Sequence, residues 1–304
     1  MQAQPITIAS LKEYDNLELL ARQMVEGFIT GLHKSPYHGF SVEFAEHRLY
    51  NNGESTRHVD WKLFAKTDRL FTKRYEEETN LRALLLLDVS ASMYYPVETQ
   101  GKVRFACLAA ACLAYMLTRQ RDAVGIASFH ETLQSETAIK STQTHLRQLL
   151  VGLEQLMSTP QSQKKSHIAD IIHTMAERVH KRSLLIIFTD MLDSSENLDE
   201  VFSAIQHAKH NKHEVLLFHV YDSKSEWEFD FQDRPYRFVD LESGEEMSLS
   251  PADYRKAYTE AVQKFYAEVK LRSAQYKIDF VEADVQKPID QVLLPFLIKR
   301  SKMH

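Results

Sequence analysis

From Leu81 onward, short apolar runs alternate with longer segments whose apolar residues recur at three- and four-residue steps. ALLLLDVS, AVGIASFH, SLLIIFTD, EVLLFHVYD and YKIDFVEA read as strands. VRFACLAAACLAYMLTRQ, THLRQLLVGLEQLM, HIADIIHTMAERVH, LDEVFSAIQHAKH and SPADYRKAYTEAVQKFYAEVKLRSAQ read as helices, with IDQVLLPFLIKR as a closing amphipathic one. Strands alternating with helices imply βαβ units, and so a doubly wound, mostly parallel sheet of the α/β class, covered on both faces. The near-continuous apolarity of LLLL, LLIIF and VLLF suits strands buried on both sides. After Asp222 the pattern changes to aromatic residues at alternate positions, Trp227, Phe229, Phe231, then Tyr236 and Phe238, which predicts an antiparallel insertion. Ser250 followed by Pro251 is a cap and a first-turn proline for the long helix behind it.

The first eighty residues differ. LELLARQMVEGFI has helical periodicity, whereas the stretch from Gly39 to Glu78 places the turn residues Asn51, Asn52 and Gly53 between short alternating segments. The expected organisation is a small helix-plus-strand module over residues 1–80, then an α/β domain over residues 81–304.

Charge narrows the partners. With 37 Lys and Arg against 42 Asp and Glu, the net charge of −5 gives no reason to expect a phosphate-backbone binder. Arg57, Lys62, Lys66, Arg69, Lys73 and Arg74 surround the pair Asp60-Trp61 and make a local basic stretch. It reads either as a surface for an acidic partner or, the favoured reading, as Trp61, Phe64 and Phe71 packing the module on the α/β domain while the charges face solvent. No nucleic-acid partner is expected.

The two cysteines, Cys107 and Cys112, lie in FACLAAACLAYML and are too few for a disulfide framework, which fits a reducing compartment. That run is shorter than a membrane span and is bracketed by Lys102, Arg104, Arg119 and Arg121, so it is expected to be a core helix and no membrane span is expected. No basic n-region followed by an apolar stretch opens the chain, so a cytoplasmic location is the expectation. His207, His210 and His213 step off a helix end toward a strand with no cysteine or acidic motif beside them, a poor pattern for zinc.

Candidate chemistry gathers at strand ends. In a doubly wound sheet, functional groups collect outside the carboxyl ends of the strands, where strand order reverses. Asp88 ends ALLLLD and Asp190 follows LLIIFT; if these strands are neighbours, the two carboxylates converge, and Ser90 and Ser92 in the turn add hydroxyls. A third hydroxyl comes from Ser166 or Thr189. Hard oxygens with few carboxylates suit a six-coordinate Mg²⁺, with Mn²⁺ or Ca²⁺ as other divalent choices. Neutral serine ligands leave the ion residual positive charge, so a partner protein's carboxylate becomes an attractive further ligand.

Asp88, Ser90 and Ser92 form the DxSxS pattern, and in this the chain resembles von Willebrand factor A domains, whose metal-ion-dependent adhesion site adds a threonine from a second loop and an aspartate from a third. Asp190 matches that aspartate, while KKSHIADII offers Ser166 at the second-loop position. The resemblance therefore implies a metal site at Asp88, Ser90, Ser92, Ser166 and Asp190. The stretch from Gly39 to Asn80, with its Arg57 and Asp60-Trp61, together with HVYDSKSEWEF and FVDLESGEE, also resembles the bacterial family called domain of unknown function 58. That resemblance implies work alongside a MoxR-type AAA+ ATPase, as partner or substrate adaptor.

Catalysis is the competing class. The chain has no G-x-S-x-G elbow, P-loop or H-E-x-x-H. A hydrolase of phosphate esters could use Asp88 as nucleophile, but such sites want a second carboxylate two residues on, where Ser90 stands. A third reading leaves the metal site vestigial and gives the binding to the N-terminal module.

Overall fold

A computed structural model gives the architecture and describes residues 17–33, 47–49, 61–73, 81–97, 99, 101–158, 166–191 and 198–301. The chain divides into two units, residues 31–80 and the rest. In the smaller unit, following helix α1 (Leu17–His33), strand β1 (His47–Leu49) pairs antiparallel with β2 (Phe71–Lys73), and helix α2 (Trp61–Thr67) lies between them in sequence. Trp61 is 60% exposed and meets Phe64 edge-on at 6.2 Å. Asn51–Gly53, Arg57 and Asp60 lie outside the described residues.

The larger unit holds β3 (Arg82–Asp88), α3 (Gly101–Arg119), β4 (Ala123–Phe129), β5 (Leu133–Glu136), α4 (Gln143–Ser158), α5 (Ile168–Arg178), β6 (Leu184–Thr189), α6 (Leu198–His210) and β7 (Glu214–Tyr221). The hairpin β8 (Tyr236–Val239) and β9 (Glu246–Leu249) is inserted before α7 (Pro251–Gln275), β10 (Asp279–Asp284) and α8 (Ile289–Ser301). The sheet order is β10-β7-β6-β3-β4-β5, parallel throughout except for the antiparallel edge strand β5. Thus β3 and β6 are neighbours, and the strand order reverses between them.

Consecutive residues of β3 feed opposite layers, as the pleat requires: Leu85 and Leu87 join the cluster under α1, α3, α4 and α8, whereas Leu84 and Leu86 join the one under α5 and α6. Helix α3 passes between Gly101 and Arg119 with 83% of its apolar window buried, the one described helix long and apolar enough to cross a membrane.

Two features differ from the sequence expectation. Residues 17–30 group with the α/β unit and not with residues 31–80. Leu20, Ala21, Met24 and Val25 of α1 are buried in the same cluster as α3 and α4, and the Leu17 N–H donates to Glu154 Oε1 at 3.0 Å. Periodicity reveals an apolar stripe but not the surface it will cover. Strand β5 was not expected because a four-residue edge strand with three exposed residues carries no apolar alternation.

Candidate functional site

Four neighbouring parallel strands, β3, β6, β7 and β10, end on or run directly into an aspartate: Asp88, Asp190, Asp222 and Asp284, all buried. Their partners separate them into two kinds. Asp222 accepts from the Lys224 N–H at 3.0 Å and Asp284 from the Gln286 N–H at 3.0 Å, which makes them turn caps for the backbone that leaves the sheet. Asp88 makes the same bond to the Ser90 N–H but also gathers two hydroxyls, and Asp190 pairs with a buried lysine.

Asp88 Oδ1 accepts the Ser90 N–H at 2.9 Å, and a short 3-10 turn over Ala91–Tyr94 brings Ser90 Oγ within 3.1 Å of Ser92 Oγ. Asp88 Oδ2 receives two hydroxyls, Ser166 Oγ at 3.0 Å and Thr189 Oγ1 at 2.8 Å. Ser166 is fixed by the backbone bond from the His167 N–H to His130 O at 3.2 Å, which ties the start of α5 to the end of β4. Of the alternatives Ser166 and Thr189, the fold delivers both to the same carboxylate oxygen. Thr189 Oγ1 also accepts the Met191 N–H at 3.0 Å, supporting Met191 at a φ of 52°, where a bulky side chain is disfavoured.

Asp190 has a different counter-charge. Lys102, at the start of α3, is fully buried, and its Nζ lies 2.8 Å from Asp190 Oδ2, 2.5 Å from Glu226 Oε1 and 5.7 Å from the Tyr95 ring centre. Burial alone would lower the lysine pKa, but Asp190 and Glu226 hold the ammonium protonated well above its ordinary range. Glu226 sits in a π-helical turn (Ser223–Trp227), where its other oxygen accepts the Asp222 N–H at 2.7 Å. Sequence reasoning missed both residues. Lys102 reads as a flanking charge on an apolar helix, and Glu226 is one acid among many in the insertion.

The donor set was tested against a divalent ion by what surrounds Asp88. This buried carboxylate contacts hydroxyls and a backbone N–H, with no cationic side chain on it among the described residues. Burial first, and then the Asp190 charge, push its pKa up to about 6. Hydroxyl and carboxylate oxygens are hard ligands, so the residues fit Mg²⁺. No group of three or more His, Cys, Asp or Glu suited to a metal occurs among the described residues, so an ion here would depend on the hydroxyls as much as on the carboxylates. His207 and His213 do not converge: the first faces His173 at 2.9 Å and the second Ala176 O at 3.1 Å.

Behind Asp190, His219 donates its Nε2–H to the Asp190 backbone oxygen at 2.8 Å, while its buried Nδ1 has no hydrogen-bond partner. Burial pulls its pKa from 6.5 down to about 4. As pH falls from 6.5 toward 4, the unfolded chain takes a proton that the folded chain refuses, so this histidine costs stability on acidification. His219→Gln removes the titration. Urea unfolding should show wild type losing up to about 3 kcal/mol relative to His219→Gln between pH 7.5 and 4; parallel profiles would refute the buried neutral imidazole.

Residues 46–268 match the family model described as "Protein of unknown function DUF58", a span that includes every residue of the strand-end cluster. Uncharacterized protein Rv1480 from Mycobacterium tuberculosis and Uncharacterized protein Mb1516 from Mycobacterium bovis are each 25% identical over 238 residues, 78% of this chain and 73% of theirs. Among solved structures, BatB from Bacteroides thetaiotaomicron aligns with a TM-score of 0.47 and 14% identity, over 73% of this chain and 99% of its own. An aerotolerance-related membrane protein from Bacteroides fragilis aligns with a TM-score of 0.42 and 14% identity, over 70% and 98%. With its mostly parallel six-stranded sheet of the von Willebrand factor A and Rossmann type, the chain belongs to the DUF58 family.

Proposed function

We propose that this chain is a protein-binding module whose Asp88, Ser90, Ser92 and Asp190, with the hydroxyl of Ser166 or Thr189, hold a divalent cation whose remaining position an Asp or Glu of a partner protein then takes. The observation that carries the reading is Asp88, a buried carboxylate ringed by hydroxyls at the point where strand order reverses. The chain's own residues do the positioning. Strand β3 fixes Asp88, the 3-10 turn presents two neutral hydroxyls, and Lys102 holds one oxygen of Asp190 in place. When bound, Mg²⁺ would supply the positive charge that attracts an incoming carboxylate, because three of the five chain donors are uncharged and one of its six positions stays open.

The family resemblance suggests the partner, a MoxR-type AAA+ ATPase, with the chain as partner or substrate adaptor in the cytoplasm. The test is a pull-down of a MoxR-type ATPase from the same genome on the immobilised chain, in Mg²⁺, in chelator, and with Asp88→Ala. Retention should fall at least tenfold in chelator and in the variant; retention indifferent to both sinks the metal-bridged reading.

A further inference from the structure

Beside the strand-end cluster lies a cavity of about 50 Å³. Five of its lining residues are apolar: Ile168 at the start of α5, Met191 after β6, Leu198 and Val201 on α6, and Phe265 on α7. At its polar end stand Ser166 and Thr189, the two residues whose hydroxyls reach Asp88 Oδ2 at 3.0 and 2.8 Å. The cavity and the proposed ion site therefore share a wall. A ligand that brings a carboxylate to the hydroxyl-rich end carries its adjoining carbon atoms to the apolar one.

From this juxtaposition we infer that the cavity is a specificity subsite: it takes the small branched aliphatic group that adjoins the carboxylate of the partner's ligand. The inference rests on the metal-bridged reading above and narrows it. Room for roughly four waters, at about 10–15 Å³ each, is room for a small branched side chain and too little for an aromatic one. Among the described lining residues only Ser166 and Thr189 offer hydrogen bonds, so a charged side chain placed among the others would lose water without compensation. The carboxylate has one place to go, and the hydrocarbon the other.

The test uses the full chain and small acids as probes. Acetate, 3-methylbutanoate and 4-methylpentanoate are titrated in Mg²⁺ and in chelator, with binding followed by amide chemical shifts. Each methyl or methylene taken out of water is worth roughly a fourfold gain, so the branched acids should bind at least about tenfold more tightly than acetate. Leu198→Phe, which fills the cavity from its rim, should erase that preference while leaving acetate binding unchanged. Leu198→Ala, which enlarges it, should keep or extend the preference and serves if the larger side chain misfolds. Equal affinity for all three acids, each dependent on Mg²⁺, overturns the subsite and leaves the carboxylate-binding reading standing. Binding that persists in chelator, or no binding of any acid, overturns that reading and the subsite with it.

Discussion

Lys102→Met should cost about 3–5 kcal/mol of unfolding free energy, because it leaves the buried Asp190 and the partly buried Glu226 carboxylates facing each other across the space the ammonium filled. Lys102 Nζ meets Asp190 Oδ2 and Glu226 Oε1 at 2.8 and 2.5 Å, and its side chain is wholly buried. Methionine reproduces the length of the stem, so packing changes little and the loss reports charge. The position sharpens the point. A cation in the first turn of α3 opposes the positive end of the helix dipole, and without its two acids it would be misplaced. Adding Asp190→Asn and Glu226→Gln to Lys102→Met should recover most of the loss, since no charge is then left alone. Urea unfolding of the single and triple variants decides it: a single variant within 1 kcal/mol of wild type would show that the buried triad has no such weight.

Asp88→Asn should act in the opposite direction. Without a divalent cation the ionised Asp88 is a buried charge without a cationic partner, and its pKa of about 6 against 3.8 unfolded means that the folded state resists ionising it. The sign follows directly. Stability present at low pH is lost as pH rises from 3.8 through 6, so at pH 7 metal-free wild type carries the penalty and the asparagine variant does not. Asp88→Asn should therefore gain about 1–3 kcal/mol at pH 7 and nearly nothing below pH 4. Mg²⁺ should then stabilise wild type alone, by about 2.7 kcal/mol at a hundred times its Kd. A variant that is less stable than metal-free wild type at pH 7, or that responds to Mg²⁺ equally, contradicts the assignment of Asp88 to a cation. Residues that serve binding at the expense of the free fold behave in this way.

Much of this was legible in the sequence because it is written in local pattern. The runs LLLL and LLIIF announce buried parallel strands, and DVSAS places one carboxylate and two hydroxyls within five residues, so β3, β6, Asp88, Ser90, Ser92 and Asp190 follow from chain-local signals. The remainder depends on who meets whom. Ser166 and Thr189 were alternatives in sequence, and only the folded loops show both hydroxyls on one oxygen of Asp88. Lys102 reads as a solvated flank of an apolar helix, because burial of a lysine depends on two acids 88 and 124 residues away along the chain. Helix α1 is the same lesson at larger scale: its periodicity was plain, and its attachment to α3 and α4 was not.

The cluster has a consequence for how the sheet comes apart. The β3–β6 ladder is the only seam joining the half-sheet β3-β4-β5 to the half-sheet β6-β7-β10, and Asp88 and Asp190 stand at its carboxyl end with Lys102 and Glu226 across it. Opening either half dismantles the cluster, since its members come from residues spread between Asp88 and Glu226. Anything that grips the intact cluster therefore acts as a clasp on the whole domain: amide exchange in β10 and β4, far from the grip, slows along with exchange beside it.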